Sequence, residues 1–204
     1  MSSLSSAELA WYVTGRFYRT PAGSLADYGY FLHLSGIEGS LFSGPVGETT
    51  AHFTFAARPF VAPDVDNGAL TLALDPVGEF SVYLQCEPAG DFDRPDSFAQ
   101  GERIATFRRT GLVVGTTLAA QIGATSTSVF ANNVFSARLI DSRPFEFGGR
   151  RYDLGAILGG VTQFGTAATT PIAFPATPPA APIYDLVLPF TGSAIALSAA
   201  QPGR

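Results

Sequence analysis

Apolar and polar residues alternate in short runs along most of this chain, and clusters of Gly and Pro separate the runs. Alternation puts every second side chain on the same side of an extended backbone, so each run predicts a β-strand with one apolar face. Over residues 11–20, Trp11, Val13, Gly15 and Phe17 share one face, and Tyr12, Thr14, Arg16 and Tyr18 share the other. A turn at 21–24, holding Pro21 and Gly23, leads to a second strand over 28–37 and a first hairpin. The stretch 51–85 holds three more strands. In the first, Phe53 and Phe55 oppose Thr50, His52 and Thr54, and Pro59 ends the run because proline lacks a ladder donor. Leu70, Leu72 and Leu74 then alternate with Thr71 and Ala73, and Phe80, Val82, Leu84 and Cys86 alternate with Ser81, Tyr83 and Gln85. Asp66-Asn67-Gly68 predicts a tight turn. Matching of apolar faces predicts an odd loop or bulge at Gly78-Glu79 that pairs Leu74 with Phe80 and Leu72 with Val82.

Beyond Gly90 the chain turns acidic and irregular up to Gly101, and strand patterning then resumes over 101–115. Residues 128–141 predict one long strand, or two broken at Asn132-Asn133. At 144–154 a Gly148-Gly149 turn would pair Phe147 with Arg150, Glu146 with Arg151 and Phe145 with Tyr152, placing opposite charges and two aromatics face to face. Residues 183–198 predict a final strand, and 119–123 would make a short helix at most. Many short alternating strands imply an all-β fold: an antiparallel β-barrel of roughly eight strands, calycin-like or allene-oxide-cyclase-like, with a β-sandwich as the alternative. The 204 residues suit one domain, in which 155–204, rich in Pro, Ala and Gly and charged before Arg204 only at Asp185, forms an extension on the barrel or a neighbouring subunit.

Composition narrows the partners. Charged residues are 14% of the chain and the net charge is −5, with twelve arginines, no lysine and no concentrated basic face, which argues against nucleic acid. The first residues carry no signal-peptide pattern, and no window is apolar enough for a spanning helix, so a soluble, cytoplasmic protein is expected. The one cysteine, Cys86, reads as a small buried hydrophobe.

The chemistry follows from the faces opposite the apolar ones. Thr50, His52, Thr54, Thr71, Ala73, Ser81, Tyr83 and Gln85 are polar yet uncharged, whereas a face turned to water usually carries Lys, Glu and Arg. Such a face is expected to line a lumen or to be covered in a homo-oligomer. His52, whose imidazole titrates near neutral pH, is the first candidate acid or base, with Tyr83 on the same face and Glu102 opening the next strand. Glu102 stands near Arg103, Arg108 and Arg109, and a buried acid–arginine pair there would bind a carboxylate or position a base. Tyr12, Tyr18, Thr54, Arg108 and His33 are candidate substrate contacts. Asp91, Asp93 and Glu102 stand at positions 1, 3 and 12 of a calcium-loop pattern, but Asp96 occupies the glycine position. Two histidines without paired spacing make a poor metal set, and no cofactor motif occurs. Residues 13–17, Val-Thr-Gly-Arg-Phe, resemble the first-strand G-x-W motif of lipocalins, with Phe17 at the tryptophan position. The expected function is cofactor-independent isomerisation, cyclisation or elimination of a small apolar or amphipathic molecule in a barrel lumen. The alternatives are a lipocalin-like carrier and a structural oligomeric β-protein.

Overall fold

The computed structural model describes residues 8–60, 64–67, 70–75, 78–110, 113–122, 125–159, 161–168 and 184–198. Its strands are β1 (Leu9–Arg19), β2 (Leu25–Leu34), β3 (Phe53–Phe60), β4 (Asp64–Asn67), β5 (Leu70–Asp75), β6 (Glu79–Leu84), β7 (Glu102–Arg109), β8 (Val113–Ile122), β9 (Thr125–Ser142), β10 (Phe145–Phe147), β11 (Arg150–Tyr152), β12 (Val161–Ala168) and β13 (Leu186–Ser198), with one short helix, α1 (Leu154–Leu158). The main sheet runs β12-β13-β1-β2-β3-β6-β7-β9-β8-β5-β4, and β12 also pairs with β9. That extra pairing closes eight strands into an antiparallel barrel, the expected architecture. β12 and β13, from the segment expected as an extension, are two of its staves, and β13 pairs along β1 from Leu9↔Ile195 to Arg19↔Leu186.

Local turn chemistry sets the hairpins. β1 and β2 turn at Thr20–Ser24 through the Gly23 N–H to Thr20 carbonyl bond. β10 and β11 pair in the predicted register, with Phe147 opposite Arg150 and Phe145 opposite Tyr152. Gly148 and Gly149 there have φ of 57° and 74°, the consecutive left-handed conformations that a two-residue hairpin turn of this hand requires. β9 is the longer of the two options, a single 18-residue strand. Residues 119–122, the short-helix candidate, belong to strand β8.

The expected pairing of β5 with β6 is not found. β5 pairs with β4 and with β8, while β6 lies between β3 and β7. Face matching states which side of a strand is apolar, not which strand lies beside it; β8 sets Leu118 opposite Leu70 and Val114 opposite Leu74, with Thr116 opposite Leu72. One edge of β9 carries β8 along Thr125–Val134 and β7 along Ala137–Ser142; the other carries β12. The sheet β9-β8-β5-β4 is therefore a wing that continues the barrel wall past one mouth. β3 runs through Pro59 to Phe60, because its pairing with β6 stops at Ala56↔Ser81 and leaves that edge without a ladder to break.

The apolar faces point into the barrel. Trp11, Val13, Phe31, Phe53, Phe55, Val82, Leu84, Ala105, Phe107 and Ala194 form one buried cluster. Phe80 and Phe107 stack at 4.9 Å, and Trp11 meets both edge-on. Gly15 and Gly29 stand opposite each other in β1 and β2, flanked by Phe190 and Phe55 on the neighbouring strands. A Cβ on Gly29 would come 2.2 Å from the Thr14 carbonyl oxygen and 2.8 Å from the Phe55 ring, so the paired glycines make the floor over which those rings lie. At the other mouth Leu41, Phe145, Tyr152, Leu154, Ile157 and Leu158 are buried against the same cluster and plug the barrel. The Asp153 side chain caps α1 by accepting from the Gly155 N–H at 2.8 Å, and Ser142 donates to that carboxylate at 2.6 Å. No helix among the described residues is long and apolar enough to cross a membrane.

Candidate functional site

Thr54, Tyr83 and Gln85 of the uncharged polar face lie on the outside of the barrel, and there the chain covers its own wall. Residues 90–101, expected as an acidic, irregular stretch, belong to a strap over 86–101 whose 3-10 turn, Pro95–Ala99, buries Pro95, Ser97 and Phe98. Thr54 donates to the Phe98 carbonyl at 2.6 Å, and the Gln85 amide donates to Thr54 at 3.2 Å and to the Ser97 carbonyl at 3.0 Å. Beneath the strap Tyr18, Ala26, Tyr28, Ala56, Phe92, Phe98, Tyr184 and Val187 make a second apolar cluster. At Thr54, Tyr83 and Gln85 the cover is therefore the strap and not a lumen ligand. The strap went unseen because its buried residues follow no strand or helix period.

The candidates drawn from that face do not converge. Thr54 and Tyr18 are buried under the strap, where Tyr18 donates to the Phe92 carbonyl at 2.8 Å. Tyr83 packs beside the same cluster, directly opposite Thr54. Glu102 is exposed at the start of β7, and the arginines near it pair elsewhere: Arg103 with Asp141, Arg108 with Glu79 and Arg109 with Asp27. Tyr12 is exposed, and exposed His33 lies 3.0 Å from the Ser35 hydroxyl. Asp91, from the calcium-loop pattern, is held by the Arg94 guanidinium at 2.7 Å and by the Asp93 N–H at 2.9 Å. Those bonds lower its pKa, the Arg94 bond most. No three His, Cys, Asp or Glu side chains among the described residues could hold a metal ion.

His52 sits at the plugged end in an open cleft of about 570 Å³, with Glu38, Cys86, Glu146, Arg150 and Tyr152. Its Nδ1 lies 2.8 Å from the Gln85 carbonyl oxygen, which can only accept, so Nδ1 carries a proton and donates. Its ring meets Phe147 edge-on at 5.3 Å. Cys86 is exposed, not buried, because β6 ends at Leu84 and the thiol falls at the start of the strap.

The lumen holds a different set. Behind the wing-side mouth is a cavity of about 60 Å³ walled by Trp11, Phe31, Phe55, Phe80, Phe135 and Phe190, and among these rings stand Asp27, Arg109 and Asn133. Arg109 Nη2 lies 3.4 Å from Asp27 Oδ2, and the two side chains are only 8% and 9% exposed. Asn133 Oδ1 is buried with no hydrogen-bond partner among the described residues. A buried pair is poor value for stability, since desolvation costs several kcal/mol per ion and an apolar replacement is often as stable. Its place among aromatic rings therefore points to a use. The signal was present in the sequence: Asp27 precedes Gly29 and Phe31 on the lumen face, and Arg109 follows Phe107 on another. Beginning the second strand at Tyr28 left Asp27 outside it, so the expected buried acid–arginine pair was built on Glu102. No protein-family model, curated protein or solved structure matches this chain.

Proposed function

We propose that this chain is a small-molecule-binding barrel whose site is the wing-side lumen. The observation that carries the reading is the ion pair Asp27–Arg109, set with Asn133 in an aromatic cavity open toward one mouth. The cavity is less than half the ~150 Å³ that accommodates benzene, so as it stands it takes roughly two or three heavy atoms. At the best efficiencies of about 1.5 kcal/mol per atom such a molecule binds at about millimolar strength. Tighter binding requires a ligand that reaches beyond the cavity. Native mass spectrometry of protein purified from its own source tests the reading. A bound small molecule is expected, and it is lost in Ala167→Phe, which fills the cavity; an adduct that survives Ala167→Phe places the ligand elsewhere.

Proton-transfer chemistry, the basis of the isomerase, cyclase and lyase reading, has one carrier on the described cavity wall. That group is Asp27, because arginine does not deprotonate in proteins. Asp27 would act as base while Arg109 steadies charge on the substrate. In this second reading Asp27→Asn abolishes turnover and leaves the ligand bound.

We also propose self-association, on a separate observation. Leu9, Ile195 and Phe164 lie in one cross-strand row on the outer wall, each 37–45% exposed, and Leu197 stands beside them.

A further inference from the structure

We infer that the lumen is the head-group pocket for an amphipathic molecule whose head is uncharged and donates a hydrogen bond, as a hydroxyl or an amide N–H does, and whose apolar remainder leaves on the wing side. This rests on the lumen being the ligand site. Asn133 Oδ1, buried in the cavity wall without a partner among the described residues, can only accept, so a group that settles opposite it must donate. Asp27 and Arg109 neutralise each other. An anionic or a cationic head would meet both members of the pair, which together offer no net opposite charge to offset its lost hydration. An uncharged donor avoids that cost.

Size and topology give the direction. The cavity of about 60 Å³ holds a head and little more. The far mouth is plugged by Leu154, Ile157 and Leu158, so the rest of the molecule cannot leave there. Asn133 stands where β9 passes from barrel to wing, paired with Ala167 of β12 on one edge and with Gly115 of β8 on the other. β5 and β8, which continue the wall beyond that point, carry a single charge, Asp75.

Trp11 lines the cavity and is the one tryptophan of the chain, so its emission reports occupancy without a label. The test titrates 1-hexanol, hexanoate and hexylammonium, which share a tail and differ in the head. Hexanol is expected to give a saturable change in Trp11 emission at a midpoint about tenfold below those of the two ions, and Asn133→Leu is expected to raise that midpoint about tenfold. Circular dichroism checks that the variant is folded; should it fail to fold, the ranking of the three heads on the native chain decides alone. Hexanoate or hexylammonium binding as tightly as hexanol overturns the head assignment and leaves the lumen reading standing, and so does unchanged hexanol binding by folded Asn133→Leu. No saturable change with any of the three overturns both.

Discussion

Tyr18 was singled out for its chemistry, and the structure gives it a packing role. Its side chain is fully buried, meets Tyr28 at 5.7 Å and Tyr184 at 4.8 Å, and donates to the Phe92 carbonyl. Burial raises its pKa well above the ordinary phenol value; Arg16 opposes the rise, while Tyr184, Glu48 and Asp93 add to it. A folded-state value above the unfolded one contributes stability that is complete below about pH 10 and is lost as pH rises from there through the raised value. Tyr18 is therefore expected to ionise only as the chain unfolds, so that its part of the absorbance change near 295 nm coincides with loss of the β-sheet dichroism signal. Tyr18→Phe should lose about 1 kcal/mol at neutral pH, the usual worth of such a hydrogen bond, and then decline less steeply than the native chain above pH 10. An ionisation that completes while the sheet is intact would mean that the phenol is open to water. The lumen pair Asp27–Arg109 teaches the converse lesson. A charge on an apolar strand face was the strongest site signal in the chain, and it was hidden by a strand boundary placed a few residues late.

At the scale of elements, what could be read from the sequence depended on how far apart the partners lie. The β10–β11 hairpin was legible pair by pair because its turn residues and its cross-strand pairs are adjacent in the chain. That Trp11, Val13, Phe53 and Phe55 lie on apolar strand faces was legible from alternation; that those faces point into the barrel was not. The β12–β9 and β13–β1 closures join segments whose only common feature is an apolar face, and no local rule names such a partner. The strap was the least legible element, and it is testable. Phe98 is fully buried between the strap and the outer wall, where it packs with Phe92 at 4.7 Å. Phe98→Ala should cost about 3–5 kcal/mol of strap docking. Because the strap lies outside the barrel, the loss should first appear as proteolytic nicking within residues 86–101, with Trp11 emission unchanged. If nicking and the Trp11 signal change together, strap and barrel unfold as one cooperative unit.

At the scale of the whole molecule, the interior and the outer wall make separate demands. The aromatic interior satisfies the fold and leaves a small cavity, whereas the outer wall of β12 and β13 leaves Phe164, Ile195 and Leu197 in water beside Leu9. One exposed leucine is ordinary; adjacent ones in register make a patch. The outward positions Thr166, Thr191 and Ser193 on one side of it carry no charge, and Arg138, opposite Thr162 on β9, borders the other side. Four side chains that are each less than half exposed supply on the order of 300 Å², against the ~800 Å² per partner of a stable complex. The wall should therefore support a weak two-fold dimer, not an obligate one. Sedimentation velocity of the native chain over rising concentration should show a reversible shift toward dimer. The double variant Phe164→Lys/Ile195→Lys should stay monomeric throughout, since burying lysines opposite lysines on a symmetric interface opposes association. Because these side chains point away from the lumen, the variant should keep the native Trp11 emission. A native chain that remains monomeric to several hundred micromolar would remove self-association from the reading of this face, and the lumen site would stand unaffected.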